Sequence, residues 1–402
     1  NTIHVHSVRH HELTDQPFNL GTLTDNVPEP IDTLDPRFEE QRAISRPPTP
    51  GAVDLATIKG LPGSGKTIAL LYLLRDLLAR DETGRILYVT YTGRLKHAAQ
   101  DFVEAQYVAR TGNPPEQLRK RLRIVTLNEL VSELTGLSIY LEPFGELREF
   151  QTFIGRQNPA ELGPWRAYPR TLFTEIRAHL LGRDFPANYD WAQENLGGSG
   201  LDLLTYAEER DLELEEAEIA FNLAQRMRHT RYFRDQTAAR QALADLINGQ
   251  APAWLSGLDA LVVDEVQDLT LVQIALMAEL LRVRARQTSG RNLTLTVAGD
   301  ESQIVQPSGF DWGLTKYMLG EQIGIWPEEY EFQYQRRAPD NLAQIIDNSW
   351  GFYGHLPKFF RPSAKRERIL TAADGEVERG QIFVTPPPDS AFSPADLDAV
   401  LA

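Results

Sequence analysis

The segment Gly60-Leu61-Pro62-Gly63-Ser64-Gly65-Lys66-Thr67 has the residue types and spacing of a loop that cradles phosphate groups. Glycines let backbone N–H groups converge on an anion, and a helix starting at the end of the loop adds the positive end of its dipole. Lys66 would reach the β- and γ-phosphates of a nucleoside triphosphate, and the Thr67 hydroxyl would hold Mg²⁺. Gly60, Gly63, Ser64, Gly65, Lys66 and Thr67 thus form a candidate nucleotide-binding set. A second constellation, Leu261-Val262-Val263-Asp264-Glu265-Val266-Gln267-Asp268, puts acids at the end of an apolar run. Open α/β sheets present their ligand-binding residues at that end of their strands. Asp264 is the candidate second Mg²⁺ partner. Glu265 is the candidate base for an attacking water. Gln267 is assigned to the nucleotide site with them. Acids at a strand end alone are commonly solvated turn residues; it is the phosphate loop in the same chain that favours the functional reading.

These groups need a scaffold that brings strand ends together. Val53 to Lys59 is apolar and leads into the glycine loop, and Thr67 to Arg80 carries leucines at helical spacing, which together predict strand, loop and helix. Further strands are predicted at Ile86 to Thr90, Arg123 to Leu127, Ala260 to Asp264 and Leu293 to Ala298. Near-continuous apolar strands alternating with helical patterns point to an α/β fold with a parallel sheet covered on both faces. From Glu142 to Trp254 the periodicity is helical throughout, as in Tyr168 to Leu181 and Glu213 to Tyr232, so an all-helical insertion is expected there. After Trp312 a new unit is expected, with a strand near Tyr330 to Phe332 and a helix from Pro339 to Phe352. The first fifty residues are turn-rich and close on Arg46-Pro47-Pro48-Thr49-Pro50, which reads as an extension and linker.

Composition narrows the classes. The 402 residues are 42% hydrophobic and 24% charged, ordinary values for a globular chain long enough for two or three units. With no cysteine, disulfides, thiolate zinc sites and iron–sulfur clusters are excluded, and a cytoplasmic location is expected. No apolar stretch reaches membrane-spanning length, so no membrane partner is expected. The net charge of -15 argues against gripping nucleic acid through bulk charge and leaves only a locally basic track. Arg119-Lys120-Arg121 with Arg123, and Lys358 to Arg368 around Phe359 and Phe360, are the two candidates for one, although charge runs are usually solvated faces.

Asp264-Glu265-Val266-Gln267-Asp268 resembles the DExQD box of UvrD/Rep-type superfamily 1 helicases, and other segments resemble motifs of that family in the same order. The resemblance implies a RecA-like P-loop NTPase fold that uses ATP and Mg²⁺ and moves on single-stranded nucleic acid, DNA rather than RNA. Tyr88-Val89-Thr90-Tyr91-Thr92-Gly93-Arg94 resembles a strand-contacting segment, which would give Tyr91, Thr92 and Arg94 that role. Val125-Thr126-Leu127-Asn128-Glu129-Leu130 resembles the next one and implies it for Thr126, with Asn128 where the family usually has histidine. Ala298-Gly299-Asp300-Glu301-Ser302-Gln303 is similar to the GDxxQ motif, which implies that Gln303 senses the γ-phosphate. Beyond it the sequence departs from the family, and Phe310 and Trp312 are candidate platforms for base stacking, against the commoner fate of aromatics as core. Gln335-Arg336-Arg337-Ala338-Pro339 resembles the stretch that supplies an arginine finger, here Arg337, and Gln41 resembles the glutamine that reads adenine. Arg336 stands where the family stacks a tyrosine on adenine, and Ile68 where it often has an arginine.

The resulting partition is an extension at 1–50, a first motor domain at 51–141 and 255–315, a helical insertion at 142–254, and the start of a second RecA-like domain at 316–402. The family's later motifs are not visible in the sequence, so it is expected to be the N-terminal portion of a longer protein. The functional expectation is an ATP-hydrolysing translocase or helicase on single-stranded DNA. The alternative is a nucleotide-gated binding or regulatory module that does not unwind processively, and a small-molecule kinase on the same phosphate loop is a third class.

Overall fold

A computed structural model describes residues 8–9, 53–60, 63–80, 84–139, 145–196, 202–228, 230–287, 293–332, 334–335, 370–371 and 381–382. Six strands form the main sheet: β1 (Val53–Gly60), β2 (Arg85–Thr90), β3 (Leu122–Thr126), β4 (Leu258–Val263), β5 (Leu293–Gly299) and β6 (Glu328–Phe332). All are parallel, in the order β3-β2-β4-β5-β1-β6. The helices of eight residues or more are α1 (Lys66–Arg80), α2 (Gly93–Thr111), α3 (Leu127–Thr135), α4 (Gly145–Gly155), α5 (Leu203–Arg210), α6 (Leu214–Met227), α7 (Arg234–Ile247), α8 (Leu271–Gln287) and α9 (Trp312–Ile323). This is the α/β architecture of a RecA-like P-loop NTPase, as the sequence predicts.

Side chains alternate across a strand, and here both sets are apolar, which is why the sheet is covered twice. Leu87, Val89, Leu261, Val263, Leu295 and Val297 face a core built with α3, α7, α8 and α9. Ile86, Tyr88, Ala260, Val262 and Ala298 face the opposite core, built with α1 and α2. Every residue of β5 is buried. None of the described helices is long and apolar enough to cross a membrane.

Between β3 and β4 the described residues contain helices and turns but no strand. A third core there gathers Phe150, Phe173 and Phe233, whose ring centroids lie 5.3 to 5.9 Å apart. The predicted helix from Tyr168 to Leu181 is α-helical only over Pro169–Thr174 and widens into a π-helical turn at Glu175–Leu180. Phe185, Tyr189, Trp191 and the apolar face of α7 pack into the core against the sheet, so the covering layer includes residues before position 255. The strand predicted to open a second unit is β6, paired in parallel with β1, so the break expected at 315 falls inside this sheet. Sequence periodicity identifies a strand but not its neighbour. The expected helix from Pro339 to Phe352 lies outside the described residues.

Candidate nucleotide site

The phosphate loop turns on two glycines with left-handed backbone, Gly63 (φ 74°) and Gly65 (φ 90°), where a Cβ would clash. The chain then enters α1 at Lys66, so the loop N–H groups face the same side as the helix N-terminus. Lys66 is buried, donates to Gly60 O at 2.8 Å and lies 3.8 Å from the Asp300 carboxylate. The Ser64 hydroxyl is buried and has no hydrogen-bond partner among the described residues. So does Asp300 Oδ2, which faces Lys66 at ion-pair rather than hydrogen-bond distance. Other buried polar atoms of the chain also lack partners, so it is the position of these two, on the phosphate loop and facing Lys66, that suits them to receive polar atoms from a ligand.

The order β4-β5-β1 puts three strand ends side by side, each strand roughly 4.8 Å from the next. Lys66 follows β1, Asp264 follows β4 and Asp300 follows β5. The Thr67 hydroxyl bonds the Asp264 carboxylate, joining the two expected Mg²⁺ partners directly. Asp264 also accepts from Tyr88 Oη at 2.8 Å and from Glu265 N at 3.0 Å. Burial, followed by the neighbouring Glu265 charge, pushes the Asp264 carboxyl up to about 6 against the hydrogen bonds that pull it down. Burial and Asp264 likewise raise the Tyr88 hydroxyl well above its ordinary value, so Tyr88 acts as a donor. Its contact with Asp264 was not legible in the sequence, where Tyr88 is one apolar strand residue among several.

Thr67 and Asp264 offer only oxygen donors, which suits a hard cation such as Mg²⁺. Among the described residues no three His, Cys, Asp or Glu side chains converge as a metal cluster. A cation here would therefore complete its shell with phosphate oxygens and water, as Mg²⁺ commonly does.

Glu265 has left-handed backbone (φ 57°, ψ 41°), a conformation costly for a non-glycine residue and concentrated at functional sites. Its carboxylate accepts from Gln267 Nε2 at 2.6 Å. Gln267 is 1% exposed and its Oε1 accepts from Asp300 N at 3.0 Å. Both ends of the amide are engaged within the protein, between Glu265 and Asp300. Asp268 accepts from Val305 N and Gln306 N at 2.8 and 3.0 Å, and the Ser308 hydroxyl donates to Gln267 O. The segment after β4 is thereby bonded to the loop after β5. Asp300 caps the short turn Glu301–Gln303 by accepting from Ser302 N, and Gln303 lies half-buried on that turn.

Other predicted residues are placed as follows. Thr92 caps α2 by accepting from Leu95 N, and Thr126 caps α3 in a reciprocal capping box with Glu129. Both threonines have these structural tasks whatever else they contact. Arg94 is exposed; Tyr91 is half-buried and accepts from Arg177 at 3.5 Å. Phe310 and Trp312 are each 5% exposed, edge to face with centroids 5.0 Å apart, inside the core that includes α9. As placed, neither presents a face to a base: Asp311 caps α9, and burying two large rings outweighs leaving them wet. Arg119 pairs with Glu104, Arg121 donates to Leu78 O, and Arg123 pairs with Glu133 and lies 4.8 Å over Trp254, so this basic run is engaged internally. Gln41, Arg337 and the Lys358 to Arg368 cluster lie outside the described residues.

A sequence model described as an AAA domain matches residues 51–309, more than half of the chain. The chain belongs to the AAA domain family. No curated protein matches it. The span of the AAA domain contains the glycine loop, Asp264, Glu265, Asp300 and Gln303, so the site geometry and the family agree on a nucleotide-binding P-loop module of the ATP-hydrolysing kind. Gly60 in this AAA domain is closely flanked by Ser64 and by Phe332 of β6, which lies beyond the matched span.

Proposed function

We propose that the protein is an ATP-dependent translocase or helicase of the UvrD/Rep type that acts on single-stranded DNA. The observation that carries it is the convergence of Lys66, Thr67, Asp264, Glu265 and the Asp300–Gln303 turn at adjoining strand ends, with Ser64 Oγ and Asp300 Oδ2 lacking hydrogen-bond partners among the described residues. A bare phosphate-binding loop needs none of the residues after β4 and β5; a hydrolytic site needs all of them.

In this reading the loop N–H groups and Lys66 bind and orient the triphosphate, and Thr67 and Asp264 hold Mg²⁺. When bound, Mg²⁺ would neutralise charge on the phosphate oxygens. Glu265 orients the attacking water and takes its proton. Gln303, on the turn capped by Asp300, would register the γ-phosphate. Tyr91, Thr92, Arg94 and Thr126 lie at the ends of β2 and β3 in the same layer of strand ends, consistent with a track for the nucleic acid beside the nucleotide. Arg337 would complete the site from beyond the described residues.

The test is steady-state ATP hydrolysis with and without a single-stranded oligonucleotide. Stimulation is expected, with Lys66→Ala losing both ATP binding and turnover and Glu265→Gln losing turnover by about 10²–10⁴ while still binding ATP. Hydrolysis that ignores the oligonucleotide would leave the family's P-loop chemistry and remove the translocase.

A further inference from the structure

We infer that Gln267 is the positioning residue for Glu265, and that through it the base is tied to the turn that carries Gln303. The inference rests on the reading of Glu265 as the base and adds the residue that aims it. Three observations converge. The Gln267 amide is directional: Nε2 donates to the Glu265 carboxylate at 2.6 Å, and Oε1 accepts from Asp300 N at 3.0 Å. It is fully buried, so neither bond has water to replace it. The space it occupies is kept by Gly299, where a Cβ would come within 2.7 Å of Gln267 Oε1 and 2.8 Å of Val266 Cγ1.

Glutamine fits this position where its isosteres do not. A glutamate would bring a second carboxylate against Glu265 and lose the donor; a methionine would fill the volume and make neither bond. Because the left-handed backbone at Glu265 already departs from the strand, its carboxylate depends on a side-chain contact for its direction. Asp300, whose N–H holds the other end of the amide, also caps the Glu301–Gln303 turn and faces Lys66. A shift of that turn is therefore transmitted to Glu265 through one rigid amide.

The experiment uses the full chain, with Gln267→Glu, Gln267→Met and Gly299→Ala, and reads ATP turnover beside the affinity of a fluorescent ATP analogue. We expect kcat to fall about tenfold to hundredfold in each, less than the roughly 10²–10⁴ lost when the base itself is removed, while analogue affinity stays within about twofold. In single-turnover measurements, Gln267→Met added to Glu265→Gln should cause no further loss, since the residue acts through the carboxylate already removed. Wild-type kcat in Gln267→Glu and Gln267→Met, or losses that add to that of Glu265→Gln, overturns the inference. So does a loss of affinity that tracks the loss of kcat, which would make Gln267 a binding residue. If Glu265→Gln itself turned over normally, the base assignment would fall and this inference with it; an inactive Glu265→Gln beside a normal Gln267→Met would overturn this inference alone.

Discussion

Two buried charged clusters of this protein are built to opposite ends. In the helical segment, Arg177 and Asp235 are both essentially inaccessible and meet in a two-pronged pair at 2.8 and 3.1 Å. Gln236 and Gln273 also donate to that aspartate, so its carboxylate is surrounded by donors. At the strand ends, Lys66, Asp264 and Asp300 are also buried and Glu265 is half-buried, but Asp300 Oδ2 has no hydrogen-bond partner among the described residues and Asp264 is pushed toward its neutral form. In the first cluster the carboxylate is met by a guanidinium and two amides; in the second the carboxylates crowd one another beside the phosphate loop. Burial of charge alone therefore does not mark a site, whereas carboxylates crowded at the strand ends beside a phosphate loop do.

Breaking each cluster should show this difference. Arg177→Met should cost the most stability, about 3–5 kcal/mol, because it strands Asp235 without its cation. Chemical denaturation would measure it, and a cost under about 1 kcal/mol would mean the pair contributes nothing beyond packing. Its hydrolysis per folded molecule should remain near normal, since Arg177's hydrogen-bond partners Asp235 and Tyr91 are not among the residues assigned to hydrolysis.

Asp264→Asn should act in the other direction, and with pH. The Asp264 carboxyl has a folded value raised to about 6 from 3.8. The native chain then binds more protons than the unfolded one between those values, so the wild type loses stability as pH rises through about 6. The asparagine variant has no such loss. Relative to wild type it should gain about 1–2 kcal/mol between pH 5 and pH 7.5, measured without divalent cation. An unchanged difference across that range would place Asp264 in an ordinary environment. The same variant should bind nucleotide with little dependence on Mg²⁺.

The smallest effect is expected at Thr126→Ala, about 1 kcal/mol from the lost capping box of α3. If binding of single-stranded DNA fell by far more than stability, Thr126 would serve the track as well as the helix.

The chemistry of the site was legible because it depends on local pattern. The glycine loop, the acids after β4 and the GDxxQ segment each sit within a few residues, and the strand-loop-helix signal around Lys66 matched the structure to one residue at each end. The burial of Phe310 and Trp312 was not legible, because a sequence shows an aromatic residue without its surroundings. Nor were the two partners of Gln267, because a motif lists residue types without saying which way an amide points.

What the sequence determined by itself is the set of groups and the kind of elements that carry them, since backbone preferences and alternating polarity act over a few residues. What only the tertiary structure decided is which strand lies beside which. The order β4-β5-β1 is what lets Thr67 reach Asp264, lets Gln267 bridge to Asp300, and draws β6 into the same sheet. Hydrogen bonds between strands far apart in the chain fix that order, and no local preference encodes them.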